Sequence, residues 1–590
     1  MTNSNLNTTF IDKENKTIKY TRILALCLAS VTLALAAPSK IAKDLAKANP
    51  NAMVDVIVQF TTVPTDRHHQ KIAKQGGKHK AGLELVKAGL YSVPVHALAA
   101  LEADPEIVYM SPNRPVPGML DTVTAAVGAN IAWQAGFDGT GVGVAVIDSG
   151  ITDADDLQYA NSTASRVVYN ESFTGLGTND AFGHGTHIAG IIGSVGKNSS
   201  GTNTYRVFKG IAPNVKLINL KVLDGNGVGT DSGIISAIQR AVQLKSTYNI
   251  RVINLSLGRP VQESYKTDPL CQAVEQAWNA GIVVVVAAGN NGRDNSMNTK
   301  GYSTIMSPGN DPYVITVGAM RTMGTPGRND DLIASYSSKG PSLLDHIVKP
   351  DLVAPGNWVV STLIKDAALY GAFPGNEVLR SSFTATASTN WSNTYYKLSG
   401  TSMATPVVSG AAALLIQKDP TLTPDTIKAR LMKTASKTFP TSSVVFDPKT
   451  GITYTSAYDI FTVGAGYLDI AAALSNSDVA SVPSISPQAV ADPLTGQVSL
   501  VYASNVVWGS NVVWGSNVVW GTNVVWGTNV VWGTNVVWGT NVVWGTNVVW
   551  GTSTAQGFNV VWGTNVVWGT ATATGSVSPS ALSVAVNGEE

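Results

Sequence analysis

The chain has 590 residues, of which 44% are hydrophobic and 13% are charged. This composition excludes a disordered polyelectrolyte and allows a large buried core, and the length favours several domains. The formal net charge is +1 at pH 7, and no basic stripe with interleaved aromatic residues occurs, so the sequence gives little support for nucleic-acid binding.

The first 36 residues are predicted to be a signal peptide. Four basic residues precede an apolar run at residues 23–37, and Ala34-Leu35-Ala36 has the small-x-small pattern of a cleavage site. The run is short for a segment that spans a bilayer. Cleavage would remove Cys27 and leave Cys271 without a partner, so no internal disulfide is expected. We therefore expect a secreted or extracellular protein.

Residues 37–115 are predicted to form a small α+β domain. The strand-like runs are VDVIVQF, GLYSVPV and VYMSP, and helical patterns lie between them. Their succession approximates a β-α-β-β-α-β order, which is typical of a ferredoxin-like fold.

Residues 116–475 have a different pattern, in which continuous apolar runs alternate with helical segments. The runs are GVGVAVID, VKLINLKVL, RVINLSLG, GIVVVVAAGN and YVITVGAM. This alternation predicts an α/β domain with a mostly parallel sheet and helices on both faces. Binding sites in such sheets form beyond the carboxyl ends of the strands, and Asp148 and Asn290 both lie where an apolar run ends.

The last part of the chain contains a predicted linker and a repeat. Residues 476–504 are rich in serine, proline and alanine, which favours a linker. NVVWG then occurs ten times in residues 505–590, at a spacing of six with one gap of twelve. An even period repeats the same face of a strand, so the repeat predicts either stacked short coils or a β-prone tail that self-associates or is disordered. A low-complexity expansion without a selected role is the third interpretation.

His184 and His187 lie three residues apart and raise the question of metal binding. A catalytic zinc site needs about three protein ligands. Only three of the seven histidines follow residue 116, and the HExxH signature is absent. A metal-dependent reaction is therefore disfavoured.

Nucleophilic catalysis suits three segments, VAVIDSG with Asp148, GHGTHIAG with His184 and GTSMATP with Ser402. A serine hydroxyl needs a base that takes its proton, and a histidine serves near neutral pH when a carboxylate fixes its tautomer. Each segment alone is an ordinary turn or helix start, but the three together in this order are specific.

With these flanks the chain resembles the subtilisin family of serine peptidases across roughly residues 120–475. The matching segments are DSGI, DxxGHGTHIAG, GIAPN, INLSLG, AAGNNG, KPDLVAPG and SGTSMATP. The resemblance implies that Ser402 is the nucleophile, that His184 is the general base and then acid, and that Asp148 orients it. Asn290 would donate to the oxyanion beside the backbone N–H of Ser402.

The resemblance also implies how peptide substrates are held. Ser256, Leu257 and Gly258, together with Gly227 and Gly229, match the family segments that pair with an extended peptide. Such pairing gives affinity through main-chain hydrogen bonds and hence broad specificity. His187 is left to packing or to a supporting hydrogen bond.

Further implications concern partners and ions. Residues 37–115 resemble the inhibitory pro-segment that precedes such domains, so the chain's own propeptide is an expected intramolecular inhibitor. No cofactor is required for the chemistry. Asp156 matches a calcium ligand of the family, but the loop at residues 196–210 departs from the family's calcium loop, which argues against a calcium site. An insert between Gly356 and Gly400 is expected near the nucleophile.

The sequence therefore predicts a secreted serine endopeptidase made as a self-processed precursor, with cell-surface association or self-association through the repeat. Two other hypotheses remain at this stage. One is an enzymatically silent binding protein in which the repeat matters, and the other is a related acyl transfer such as peptide ligation. Labelling of Ser402 by a fluorophosphonate would separate the silent protein from an enzyme.

Overall fold

The computed structural model describes residues 39–42, 45, 52–113, 119–385, 390–447, 450–491, 498–501 and 588–589, together with four dipeptides of the repeat. The chain divides into two compact units, residues 1–116 and residues 117–590. The predicted signal peptide lies outside the described residues. Within the described part of the chain, no helix has the length and apolar character needed to cross a bilayer.

The first unit is a four-stranded antiparallel sheet with two helices. Its strands β1–β4 are Met53–Phe60, Lys78–Leu83, Ala88–Pro94 and Ile107–Pro112, and its helices α1 and α2 are Asp66–Lys74 and Leu98–Glu102. The strand order is β2-β3-β1-β4, and Val56, Val58, Ile72 and Tyr91 are among the residues of its own core. The β-α-β-β-α-β succession agrees with the predicted order.

The second unit is built on an eight-stranded sheet. Its strands β5–β12 are Gly143–Asp148, Val167–Ser172, Lys216–Lys221, Ile250–Leu255, Val283–Ala287, Ile315–Arg321, Leu332–Ile333 and Leu352–Pro355. The order is β11-β10-β9-β8-β5-β7-β6, with β12 beside β10. Every pair is parallel except β10 with β11, which confirms the mostly parallel sheet.

Helices cover this sheet. Helices α3–α12 are Met119–Ala126, Ala129–Gln134, His184–Gly193, Asp231–Gln243, Lys245–Tyr248, Pro269–Asn279, Ala368–Ala372, Thr401–Lys418, Pro424–Thr434 and Ile470–Ser475. Every residue of β5, β9 and β10 is buried. Because successive side chains of a strand point to opposite faces, both faces of the sheet must be covered.

The insert between Gly356 and Gly400 forms a small antiparallel sheet. Strands β13–β15 are Val359–Thr362, Glu377–Leu379 and Trp391–Leu398, in the order β13-β15-β14. The backbone N–H groups of Ala368 and Leu369 donate to the carbonyls of Ala181 and Phe182. The insert therefore lies against the segment that leads into α5.

Two hairpins follow, and one of them lies in the predicted linker. Strands β16 and β17 are Ser442–Asp447 and Ile452–Ala457, and strands β18 and β19 are Gln488–Ala491 and Val498–Val501. Ala489 and Val498 are buried, and Ser486 Oγ donates to the buried carboxylate of Asp351 at 2.5 Å. The described part of residues 476–504 thus belongs to the second unit and differs from the linker predicted by composition.

The described dipeptides of the repeat pair in parallel. Val525–Trp526 (β20) pairs with Val537–Trp538 (β22), and Val531–Trp532 (β21) pairs with Val543–Trp544 (β23). Each pairing joins copies twelve residues apart. The rest of the repeat lies outside the described residues, so its interpretations stay predictions.

Candidate active site

Strand β5 ends at Asp148, and helix α5 begins at His184 beside it. His184 Nδ1 lies 2.8 Å from Asp148 Oδ1, and both side chains are buried. Burial alone would lower the pKa of His184, but the charge and the hydrogen bond of Asp148 outweigh it, so this pKa lies above its ordinary value. Because Nδ1 donates to the carboxylate, Nε2 is left to accept a proton.

Asp180 holds the strand end and the helix start together. Its Oδ1 accepts hydrogen bonds from Ser149 Oγ at 2.8 Å and Gly183 N at 2.7 Å, and its Oδ2 accepts one from Thr186 N at 2.7 Å. Burial raises the pKa of Asp180 despite these donors. No role was predicted for Asp180, although its position four residues before His184 in the motif was a usable signal.

Helix α10 carries Ser402 in its first turn. The Ser402 hydroxyl donates to the carbonyl of Ser256 at 3.1 Å, and Ser256 Oγ donates to the carbonyl of Ser402 at 2.8 Å. These reciprocal bonds fix the helix start against the segment that follows β8. The serine is partly exposed, as a nucleophile must be.

Asn290 follows β9 and contacts the residue that precedes Ser402. Its Oδ1 accepts from Thr401 N at 2.9 Å and from Thr401 Oγ1 at 3.1 Å. These two donors assign the amide orientation and leave Nδ2 as the group that can donate to a ligand. Thr401 is a positioning residue that sequence reasoning missed, although it lies within the quoted GTS segment.

The predicted substrate segments lie on the two sides of β5. Ser256, Leu257 and Gly258 follow β8, Gly227 and Gly229 follow β7, and β7 and β8 are the neighbours of β5. A Cβ at Gly258 would lie 2.9 Å from a backbone carbonyl oxygen, and one at Gly227, where φ is +75°, would lie 2.6 Å from an aromatic ring. At both glycines, one on each side of Asp148, a side chain would therefore clash with neighbouring atoms.

His187 lies in the same helix but in different surroundings. It is fully buried, and its Nε2 lies 3.0 Å from the carbonyl of Tyr396 in β15. Burial lowers the pKa of His187 to about 3, so the ring is neutral and donates to that carbonyl. This environment is that of a packing residue.

Asp156 is engaged by donors of the protein itself. Its oxygens accept hydrogen bonds from Asn198 N at 2.8 Å, Tyr395 OH at 2.7 Å and Ser194 Oγ at 3.1 Å. The buried guanidinium of Arg166 donates to backbone carbonyls of the same region, including that of Asp156 at 3.1 Å. A calcium ion at Asp156 would compete with these donors for the oxygen lone pairs, and the expectation that no calcium binds there stays a prediction. Among the described residues, no group of three His, Cys, Asp or Glu is placed to hold a metal ion.

The second unit is similar in sequence to known proteins. Residues 139–457, which include Asp148, His184, Asn290 and Ser402, match the model of the subtilase family, peptidase S8. Serine protease AprX of Bacillus subtilis (strain 168) is 37% identical over 352 residues, which cover 58% of this chain and 72% of that protein. Subtilisin DY of Bacillus licheniformis is 38% identical over 303 residues, 51% of this chain and 86% of that protein. Subtilisin E of Bacillus subtilis (strain 168) is 34% identical over 372 residues, 62% and 80% respectively.

Proposed function

Because the chain belongs to the subtilase family and is a serine endopeptidase, we propose that it is secreted, that it hydrolyses peptide bonds with Asp148, His184 and Ser402, and that it is made as a self-processed precursor. The observation that carries the site assignment is the 2.8 Å hydrogen bond between His184 and Asp148. It leaves a basic nitrogen on the ring, at the same edge of the sheet as the helix that carries Ser402.

The reaction begins with a rotation of the Ser402 hydroxyl from the Ser256 carbonyl toward His184 Nε2. His184 takes the proton as Ser402 Oγ attacks the scissile carbonyl, and then gives it to the leaving amine. Water hydrolyses the acyl-enzyme by the same steps in reverse. Asp148 stabilises the imidazolium that forms in each half-reaction, which accords with the raised pKa of His184.

Asn290 acts on the oxyanion. Negative charge develops on the substrate's carbonyl oxygen only in the transition state, so a fixed donor there lowers the barrier. The Nδ2 group of Asn290 and the backbone N–H of Ser402 are the two donors. Thr401 keeps them in register, because it binds Asn290 Oδ1 and directly precedes Ser402.

The substrate is a peptide in extended conformation, bound by main-chain hydrogen bonds to the segments after β7 and β8. No cofactor takes part in this chemistry. The predicted signal peptide supports secretion, and the uncharged repeat supports cell-surface association or self-association.

The first unit is proposed to be the inhibitory propeptide. Two observations support this: the unit has a hydrophobic core of its own, and its antiparallel strand order β2-β3-β1-β4 is that of a ferredoxin-like domain. Cleavage between about residues 111 and 119 would separate it from the catalytic unit.

A serine-directed fluorophosphonate tests the site. Wild-type enzyme should be labelled and Ser402→Ala should not, whereas Ser236→Ala, which removes an exposed helical hydroxyl that donates to the carbonyl of Ser232, should keep the label. Labelling of Ser402→Ala at the wild-type level would overturn the assignment.

Intact-mass measurement tests self-processing. The mature wild-type protein should begin near residues 111–119, whereas Ser402→Ala should lose the signal peptide alone. Equal masses for the two proteins would refute self-processing without touching the triad.

A further inference from the structure

Glu589 lies in a pocket of the second unit. It is 4% exposed, and its Oε2 accepts a hydrogen bond from Ser335 N at 2.8 Å. The side-chain amide of Asn357 pairs with its backbone, since Asn357 Oδ1 accepts from Glu589 N and Asn357 Nδ2 donates to Glu589 O, both at 2.9 Å. The pocket therefore contacts both the carboxylate and the main chain of this residue.

Two arginines flank the carboxylate. Glu589 Oε1 lies 3.8 Å from Arg293 Nη2 and 3.7 Å from Arg321 Nη1. Arg293 also forms an ion pair with Asp447 at 3.0 Å. Among the described residues, Glu589 is the one carboxylate that forms an ion pair with Arg321. The Arg321 side chain is only 9% exposed, so without Glu589 it would be a nearly buried cation with no anion, which is costly.

The charge distribution along the chain makes this pairing specific. Residues 493–588 contain no Asp, Glu, Lys or Arg. Glu589 is thus the first charged residue after Asp492, and it lies between two guanidinium groups.

The pocket adjoins the loop that carries the nucleophile. A Cβ at Gly588 would lie 2.8 Å from Ser399 Oγ and 2.4 Å from the ring of Trp358, and Ser399 Oγ accepts a hydrogen bond from Trp358 N at 2.8 Å. Ser399 precedes Gly400, whose N–H donates to the carbonyl of Gly356 at 2.8 Å. Gly588 therefore packs on the residues that lead directly into Thr401 and Ser402.

We propose that Arg293, Arg321, Ser335 and Asn357 form a carboxylate-binding pocket that takes Glu589 of the same chain. Val501 and Glu589 then both lie on the catalytic unit, so the repeat between them is joined to that unit at both ends. Docking also stabilises the loop at residues 399–401. The proposal is independent of the catalytic roles given to the triad, because it can be tested in an inactive protein.

The test uses the full chain with Ser402→Ala, in which a recognition site for a sequence-specific protease replaces residues 553–558. After cleavage, the fragment that begins at residue 559 should remain with the rest of the protein on size exclusion. Glu589→Gln should weaken this retention at least tenfold, while Glu590→Gln removes the same charge one residue later and should leave it unchanged. Release of the fragment from the parent protein, or equal retention by both variants, would overturn the proposal, the latter by showing that the repeat itself holds the fragment.

Two further measurements sharpen the result. Arg321→Gln should weaken retention as Glu589→Gln does, and the double variant should lose little more, because both changes remove one interaction. Hydrogen exchange at the amide of Gly400 should be faster in Glu589→Gln than in Glu590→Gln, because the first variant removes the carboxylate that the pocket binds. If the losses of retention in Arg321→Gln and Glu589→Gln added up in the double variant, the proposed pocket would be contradicted. Equal exchange rates at Gly400 in Glu589→Gln and Glu590→Gln would contradict its effect on the loop.

Discussion

Asp148 and Asp351 are buried carboxylates of the catalytic unit with opposite surroundings. Asp148 faces one histidine, whose Nδ1 is 2.8 Å from its Oδ1. Asp351 faces two lysines: Lys349 Nζ lies 2.7 Å from Oδ2, and Lys428 Nζ lies 3.3 Å from Oδ1. Both carboxylates are almost inaccessible to solvent, so burial alone does not distinguish them.

The difference lies in what compensates the negative charge. Burial would raise the pKa of Asp351, but the two lysines outweigh it and hold this pKa below its ordinary value. Its oxygens also accept from Ser486 Oγ and Thr316 N, so the group is saturated and stabilises the fold. Asp148 is paired with the ring of His184, whose pKa it raises, and because histidine is a side chain that can exchange protons near physiological pH, we propose that this pair serves the chemistry.

The largest expected effect is on the proton-transfer pair. Ser402→Ala or His184→Ala should lower kcat by about 10⁶, the magnitude measured for subtilisin itself, and leave a residual rate from the oxyanion donors. Steady-state hydrolysis of a peptide substrate measures this loss, with Ser236→Ala as the control. A near-normal kcat of Ser402→Ala would show that Ser402 is not the nucleophile, and the catalytic role given to Asp148 and His184 would then lose its support.

Exchanging each carboxylate for its amide should separate the two regions. Asp148→Asn should lower kcat by about 10⁴, as in Ser-His-Asp triads generally, with little change in unfolding free energy. Asp351→Asn should lower the unfolding free energy by about 3–5 kcal/mol, because it leaves buried lysines without their anion, while the folded fraction keeps kcat within roughly threefold. Steady-state kinetics and denaturant unfolding of both variants measure these effects. If the two variants lost kcat and unfolding free energy to the same extent, the two carboxylates would not have different roles.

The pH dependence should follow His184. Its imidazole must be neutral to act as a base, so kcat/KM should rise about tenfold per pH unit on the acid limb. Because the pKa of His184 is raised, the midpoint should lie above the ordinary value of 6.5. His187→Gln should leave this midpoint in place, since the pKa of His187 is already about 3. A midpoint at or below 6.5 would show that Asp148 does not dominate the environment of His184.

The smallest expected effect concerns metal removal. Donors of the protein occupy the oxygens of Asp156, so a chelator should leave the thermal midpoint of the Ser402→Ala protein unchanged. At a free calcium concentration of a hundred times its Kd, a bound ion would add about 2.7 kcal/mol to the unfolding free energy. Calorimetry with and without chelator would detect the loss of that stabilisation. A clear fall of the midpoint on chelation, restored by calcium, would show that the ion competes with these donors.

The parallel sheet and the candidate triad could both be predicted without coordinates. Strands such as VAVID and VVVVA are buried on both faces of the sheet. Nearly every residue of such a strand must therefore be apolar, and a continuous apolar run is visible in the sequence. Asp148, His184 and Ser402 each lie in a short segment whose neighbouring residues have a local structural role. Gly183, for example, precedes α5 with φ +99°, a conformation that favours glycine. Information of this kind is local in the chain and can be recognised without coordinates.

The pairing of polar residues that are distant in the chain became visible in the folded structure. Ser486 reaches Asp351 across 135 positions, and Glu589 reaches Asn357 across 232. Serine-rich composition predicted a linker at the first of these, and nothing near Glu589 indicates a binding pocket. Such contacts join polar groups that are far apart in the chain, because a hydrogen bond requires proximity in space and leaves no periodicity in the sequence.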